Sequence, residues 1–172
     1  MEFIFSKDDV RNSTLTLLTN EPIYEISTSS KSLLAETTVI KKFRRDGESE
    51  YMGLIELHGT REDECRVWGR NMPPKSESFW KSAKSFVASN GQKYTWKMKS
   101  NANQELRDQS DNTIATWERS HTGIFSKRPR PAKLSISHAA VSVADDIVST
   151  FVVVEQWTRI NRSAAASSVV VA

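Results

Sequence analysis

The chain has little of what would fix a function in advance. It holds one cysteine, Cys65, so no disulfide can close within it and an oxidised framework is excluded. The three histidines, His58, His121 and His138, stand far apart, and none pairs with another or with Cys65 at metal-site spacing. Six scattered glycines make no phosphate loop and no dinucleotide-binding run, and no G-x-S-x-G elbow occurs. No stretch reaches the ~20 apolar residues that a spanning helix needs. The opening segment carries Glu2, Asp8 and Asp9 and has no signal-peptide core. Net charge is only +3, so the arrangement of charges matters more than their sum. These absences leave a soluble, cytoplasmic chain as the expectation, with at most peripheral membrane contact. No enzyme activity and no cofactor are expected.

What is present is period-two alternation. In Lys93 to Lys99, Tyr94, Trp96 and Met98 face one way, and Lys93, Thr95, Lys97 and Lys99 the other. A strand with one dry and one wet face needs this pattern. Asn90-Gly91 just before it suits a tight turn, so Lys84 to Met98 reads as a hairpin. Glu2 to Phe5, Thr14 to Leu17, Ile23 to Ser27, Glu36 to Arg44, Tyr51 to Leu57, Glu64 to Trp68, Ile114 to Glu118 and Lys133 to Ser137 read as further strands. Ser76 to Lys84 is expected to hold a short helical turn. Many short strands at such spacing argue for a barrel or sandwich with antiparallel neighbours.

From Ala139 to Val154 the chain turns almost wholly apolar. Local propensity favours a strand there, since valines dominate. Length argues for a helix instead, as do the Ser142-Asp145 capping-box spacing and the dipole. Asp145 and Asp146 sit at the expected positive end, and Arg159 and Arg162 at the expected negative end. A helix apolar on all sides must be enclosed. The sequence therefore predicts a mainly β fold: a closed antiparallel β-barrel of many short strands around a central helix over about 142–162. One domain is expected over 1–162, followed by a flexible tail at 163–172.

Four segments carry a family resemblance: "TLTLLTNEPIYEIST" at Thr14 to Thr28, "NGQKYTWKM" at Asn90 to Met98, "TIATWERSHTGIFSKRPRPAKLSI" at Thr113 to Ile136, and "DDIVSTFVVVEQWTR" at Asp145 to Arg159. In this order they resemble an uncharacterised fungal domain family, mainly of basidiomycetes, whose function is unknown. The resemblance implies a fold similar to the tubby C-terminal domain, a closed barrel around an apolar helix. It brings no catalytic residues. The lipid-binding residues of tubby proteins do not map onto positions here. "SHAAVSVA" at Ser137 to Ala144 lacks the glycine that such relatives would have before the helix.

The chemistry-bearing residues divide into few candidates. Cys65 reads as a small core residue rather than a nucleophile paired with His58 or His121. Asp145 and Asp146, adjacent on a helix, point about 100° apart and cannot share one proton. Of the five tryptophans, Trp96 and Trp157 fit the core, Trp80 is unassigned, and Trp68 and Trp117 stand among polar neighbours where they could be exposed. Two basic runs remain, Lys41, Lys42, Arg44 and Arg45, and Lys127, Arg128, Arg130 and Lys133. Either suits an anionic headgroup or phosphate, and either suits a solvated surface. The expected function is a non-enzymatic binding or scaffold domain that recognises anionic phospholipid headgroups through these loops. Protein–protein interaction or homo-oligomerisation through the outer surface is the alternative, and a small-ligand carrier a further one. Nucleic acid is not expected as a partner.

Overall fold

The computed structural model describes residues 1–32, 35–58, 63–72, 85–99, 103–121 and 130–169. The expected helical turn at Ser76 to Lys84 lies outside them. Twelve strands form one antiparallel sheet. They are β1 (Glu2–Phe5), β2 (Ser13–Thr16), β3 (Pro22–Ser32), β4 (Ala35–Phe43), β5 (Ser49–His58) and β6 (Glu64–Val67). The set continues with β7 (Arg70–Asn71), β8 (Ser85–Val87), β9 (Lys93–Met98), β10 (Gln104–Arg107), β11 (Thr113–Glu118) and β12 (Lys133–Ile136). The hydrogen-bonded order runs β7-β6-β5-β4-β3-β2-β1-β12-β11-β10-β9-β8. A short 3₁₀ segment, His138–Val143, then leads into α1 (Ala144–Val169).

Alternation explains most of these strands. On β9 Tyr94 and Trp96 are buried while Lys93 and Lys97 face outward. On β1 Phe3 and Phe5 point inward, and on β11 Trp117 does so too. Trp117 is therefore a core residue, and of the two tryptophans whose neighbours allow exposure only Trp68 is exposed.

The expected closed barrel is not formed. Among the described residues no ladder joins β7 to β8, so the sheet wraps α1 but keeps two free edges. The physical reason lies in those edges. β7 has two residues and β8 three, paired on one side with β6 and β9, and edge strands this short present few groups for a further ladder. The Arg70 side chain occupies the gap instead. Its Nη1 donates to the Val87 carbonyl of β8 at 3.3 Å, and its Nη2 donates to Asp146 Oδ1 of α1 at 2.6 Å. Asp146 also accepts the Ser89 backbone N–H at 2.6 Å. Side chains clasp the seam where a barrel would carry backbone bonds.

Inside the sheet, α1 is buried around its whole circumference from Ile147 to Gln156. Ile147, Val148, Phe151, Val152, Val153 and Val154 are each at most 1% exposed. Their burial contributes on the order of 10 kcal/mol before entropy is subtracted. That exceeds the few tenths of a kcal/mol by which each valine disfavours a helix. Phe151 sits at the centre, with ring centroids 4.5 Å from Trp117, 5.7 Å from Trp96 and 5.8 Å from Phe5. Buried Thr150 donates to the Asp146 and Ile147 carbonyls at 2.8 and 3.2 Å and accepts Trp96 Nε1–H at 3.1 Å. The backbone helix extends to Val169, past the expected end at residue 162.

Candidate functional site

The antiparallel order places the turns after β2, β4, β6 and β8 at one end of the sheet, beside the start of α1. The connection between β11 and β12 lies at the other end. This sorts the two basic runs. Arg44 and Arg45 stand at the tip between β4 and β5. Arg130 and Lys133 stand at the opposite end, and Lys127 and Arg128 lie outside the described residues. Three strands separate β4 from β12, a span of four strand spacings or about 19 Å across the sheet. The runs do not converge.

Most of these cations already have carboxylate partners. Lys41 pairs with Glu25 at 3.7 Å across the β3–β4 ladder. Arg44 lies 3.8 Å from Glu48 and 3.7 Å from Glu50. Arg130 meets Glu118 at 3.4 Å, and Lys133 meets Glu2 at 2.9 Å. The Lys133 bond and charge hold the Glu2 carboxyl below the usual carboxylate range. Among the described residues of the two runs, Arg45 alone has no such partner.

Lys42 plays a different part. A register shift between Ile40 and Lys41 is followed by Lys42 opposite the buried Tyr24. Its ammonium reaches both Asp145 carboxylate oxygens, at 2.8 and 2.9 Å. Tyr24 Oη–H donates to Asp145 Oδ1 at 2.7 Å, and Trp68 Nε1–H donates to Oδ2 at 2.9 Å. Burial alone would raise the Asp145 pKa. The bonds from Lys42, Tyr24 and Trp68 outweigh it and hold the carboxyl below its ordinary value. Burial, followed by the adjacent Asp145 charge, pushes the Tyr24 phenol well up. The expected Ser142–Asp145 capping box is not made. Ser142 lies in the 3₁₀ segment, and the Asp145 carboxylate turns to strands β3 and β4 and the β6–β7 turn instead. Asp146 points elsewhere, to Arg70 and Ser89, as adjacent helical positions require.

Trp68 stands at this end with half its surface in water, 48% exposed. Trp68 and Gly69 form the two-residue turn between paired Val67 and Arg70, with φ of 50° and 74°. That is the type I′ signature. A tryptophan in the left-handed region costs about 1–2 kcal/mol, and its indole bond to Asp145 offsets part of this. Leu18, 70% exposed, caps the neighbouring β2–β3 turn. Between that turn, Lys42 and the 3₁₀ segment opens a cleft of about 250 Å³. Leu17, Ile23, Val141, Ala144 and Met1 form its apolar walls, with Tyr24, Lys42, Ser142 and Asp145 supplying the polar groups.

The other end of α1 holds a buried charge. Glu155 is fully buried and accepts from Gln104 Nε2 at 2.7 Å, Arg119 Nη2 at 2.9 Å and Arg159 Nε at 3.3 Å. Arg159 continues to Asp9 at 3.4 Å and donates to the Asp8 carbonyl, so beyond Glu155 its partners lie between β1 and β2 rather than at a helix end. Cys65 is 3% exposed, and burial pushes its thiol up to about 12, which suits a core residue and not a nucleophile. Among the described residues no three His, Cys, Asp or Glu side chains gather to hold a metal ion. No described helix is long and apolar enough to cross a membrane.

The Asp145 cluster and the cleft were not read from the sequence as a site. Trp68, Lys42 and Tyr24 lie 77 to 121 residues before Asp145, and no local motif signals them. No curated protein matches the chain, and no solved structure does. The model of a family described as a family of unknown function (DUF6593) matches residues 8–160. With all the strands from β2 to β12 and the buried stretch of α1 inside that match, the chain belongs to this family.

Proposed function

We propose that this is a non-enzymatic binding or scaffold domain that recognises anionic phospholipid headgroups with the end of the sheet where α1 begins. The observation that carries the reading is a row of three neighbouring hairpin tips. They offer Leu18, then Arg44 and Arg45, then Trp68. Arginine beside an exposed aliphatic and an indole is the composition that seats a protein at a lipid–water interface. Arg45 is unpartnered among the described residues, and the two Arg44 contacts are long and exposed, each contributing ~0–1 kcal/mol. Releasing them to a phosphate costs little. Asp46, Glu48 and Glu50 share the same turn, so charge alone does not suffice and the apolar tips must contribute. Fungal origin and a kinship with tubby-type domains, as a sheet wrapped on a helix, belong to the same reading and rest on the quoted motifs.

Vesicle flotation tests it. Phosphatidylcholine vesicles with added phosphatidylserine should recover the protein, and pure phosphatidylcholine vesicles should not. Arg44→Glu with Arg45→Glu should abolish recovery, and Leu18→Ser should reduce it. Equal recovery on both vesicles would remove the proposal. A second reading, protein recognition or self-association through the same end, is favoured by Trp68, whose indole is held in place by Asp145 and so loses little entropy on contact. A dimer in light scattering that Trp68→Asn dissolves would favour it over the lipid reading.

A further inference from the structure

We infer that the cleft beside the start of α1 is a binding site for a small molecule with an apolar body and a single terminal hydrogen-bond acceptor, a carboxylate or a hydroxyl. This goes beyond the headgroup reading, since it concerns a concave site lined by other residues.

The argument starts from the polar groups of the cleft. Asp145 is saturated. Its Oδ1 accepts from Tyr24 and Lys42, and its Oδ2 accepts from Lys42 and Trp68. It has no good position left for an incoming donor. Lys42 is not saturated. An ammonium has three N–H donors, two go to Asp145, and among the described residues the third meets no acceptor. The Lys42 ammonium stands over the Tyr24 ring, with Nζ 5.9 Å from the ring centroid. Its side chain is one-third exposed, so the head is held at the cleft rather than swinging free in water. Ser142, exposed on the 3₁₀ segment, lines the same space and brings a hydroxyl. The vacant chemistry at the polar end is therefore donor, and an acceptor is what it selects.

The remaining walls set the body of the ligand. Leu17 and Ile23 come from the two sides of the β2–β3 turn, Val141 and Ala144 from the approach to α1, and Met1 closes one side. Leu17 and Ile23 pack on the core and remain only partly covered. Burying such surface under a ligand contributes ~25 cal/mol per Å². The volume, about 250 Å³, falls below the usual ~300–1,000 Å³ of sites for drug-sized molecules. A short chain or one ring fills it. A phosphoinositide headgroup, large and multiply charged, does not match an apolar cleft whose single cation is already neutralised by Asp145.

The test uses octanoate, 1-octanol and octylammonium as probes, followed by the amide resonances of Leu17, Ile23 and Val141 and by the Trp68 indole N–H. Octanoate and 1-octanol should shift these signals saturably. Octylammonium, which offers donors where an acceptor is wanted, should bind at least tenfold more weakly. Lys42→Met removes the donor and uncovers Asp145, so the order should reverse, with octylammonium gaining and octanoate losing at least tenfold. Ser142→Trp fills the cleft from an exposed position and leaves the Asp145 cluster intact, so it should block all three probes and keeps the test decisive if Lys42→Met fails to fold. Equal binding of the three probes, binding unaffected by Ser142→Trp, or no saturable shift at these residues would overturn the inference.

Discussion

Replacing Asp145 by Asn probes how the helix is anchored to the sheet around it. The wild-type carboxylate receives four hydrogen bonds from Lys42, Tyr24 and Trp68 and sits near the positive end of α1. A charge-assisted hydrogen bond contributes ~1.5–3 kcal/mol when desolvated, and the helix-terminus interaction ~0.3–1 kcal/mol. Lys42 is one-third exposed, so its share is screened and the low end applies. Asparagine keeps one acceptor, keeps a bond from Tyr24 or Lys42, and turns an N–H towards a donor. The net expectation is a loss of about 2–3 kcal/mol at neutral pH, a fall in Tm of roughly 5–10 °C. The pH dependence sharpens the test. The folded pKa of Asp145 lies below its unfolded value of ~3.9, so the native state takes up this proton less readily than the unfolded chain. The stabilisation is present above that value and drains away as pH falls through the lower folded pKa. Urea melts of both proteins from pH 7 to pH 2.5 should therefore converge at the acid end. Parallel profiles across that range, or a neutral-pH difference under about 0.5 kcal/mol, would refute the reasoning.

Three further outcomes follow from the core. Phe151→Ala, in the middle of the aromatic cluster, should cost ~3–5 kcal/mol in chemical denaturation. Glu155→Gln leaves Arg119 and Arg159 facing an amide, and should cost about 3 kcal/mol, more than Arg44→Gln at the surface, which should stay within ~0.5 kcal/mol. Cys65, buried with its thiol pushed up to about 12, should resist iodoacetamide at pH 8 in the native protein and react fully in concentrated urea. Labelling at equal rates in both would show that β6 opens locally.

The elements that alternation marks were legible. The hairpin around Asn90-Gly91, the outward lysines of β9 and the buried run of α1 all follow from one-dimensional pattern. β10 was not legible. Gln104, Glu105 and Leu106 are all buried, so no alternation exists to read. Gln104 Nε2 donates to Glu155, 51 residues away, and Glu105 pairs with Lys99 and Arg107. β7 is two residues long and has no pattern at all. Barrel closure failed as an inference because strand count does not decide whether the last two edges meet. That depends on how short β7 and β8 are and on where the Arg70 side chain goes. The basic run at Lys41 to Arg45 was legible as charge but not as role, since the alternation of β4 turns Lys42 inward to a partner 103 residues later. The place of Trp117 was not legible from its polar sequence neighbours, which point outward from the sheet as it points in.

The position of α1 in the chain has a consequence for biosynthesis. Residues that fill the interior come after every strand that surrounds them, so a ribosome delivers the core's contents last. Until Ile147 to Gln156 emerge, the strands have nothing to close upon and their apolar faces stand open to chaperones or to other nascent chains. Folding of this region is thus postponed until Ile147 to Gln156 have been translated, and a stop codon before Ile147 should yield an insoluble fragment rather than a weakened domain.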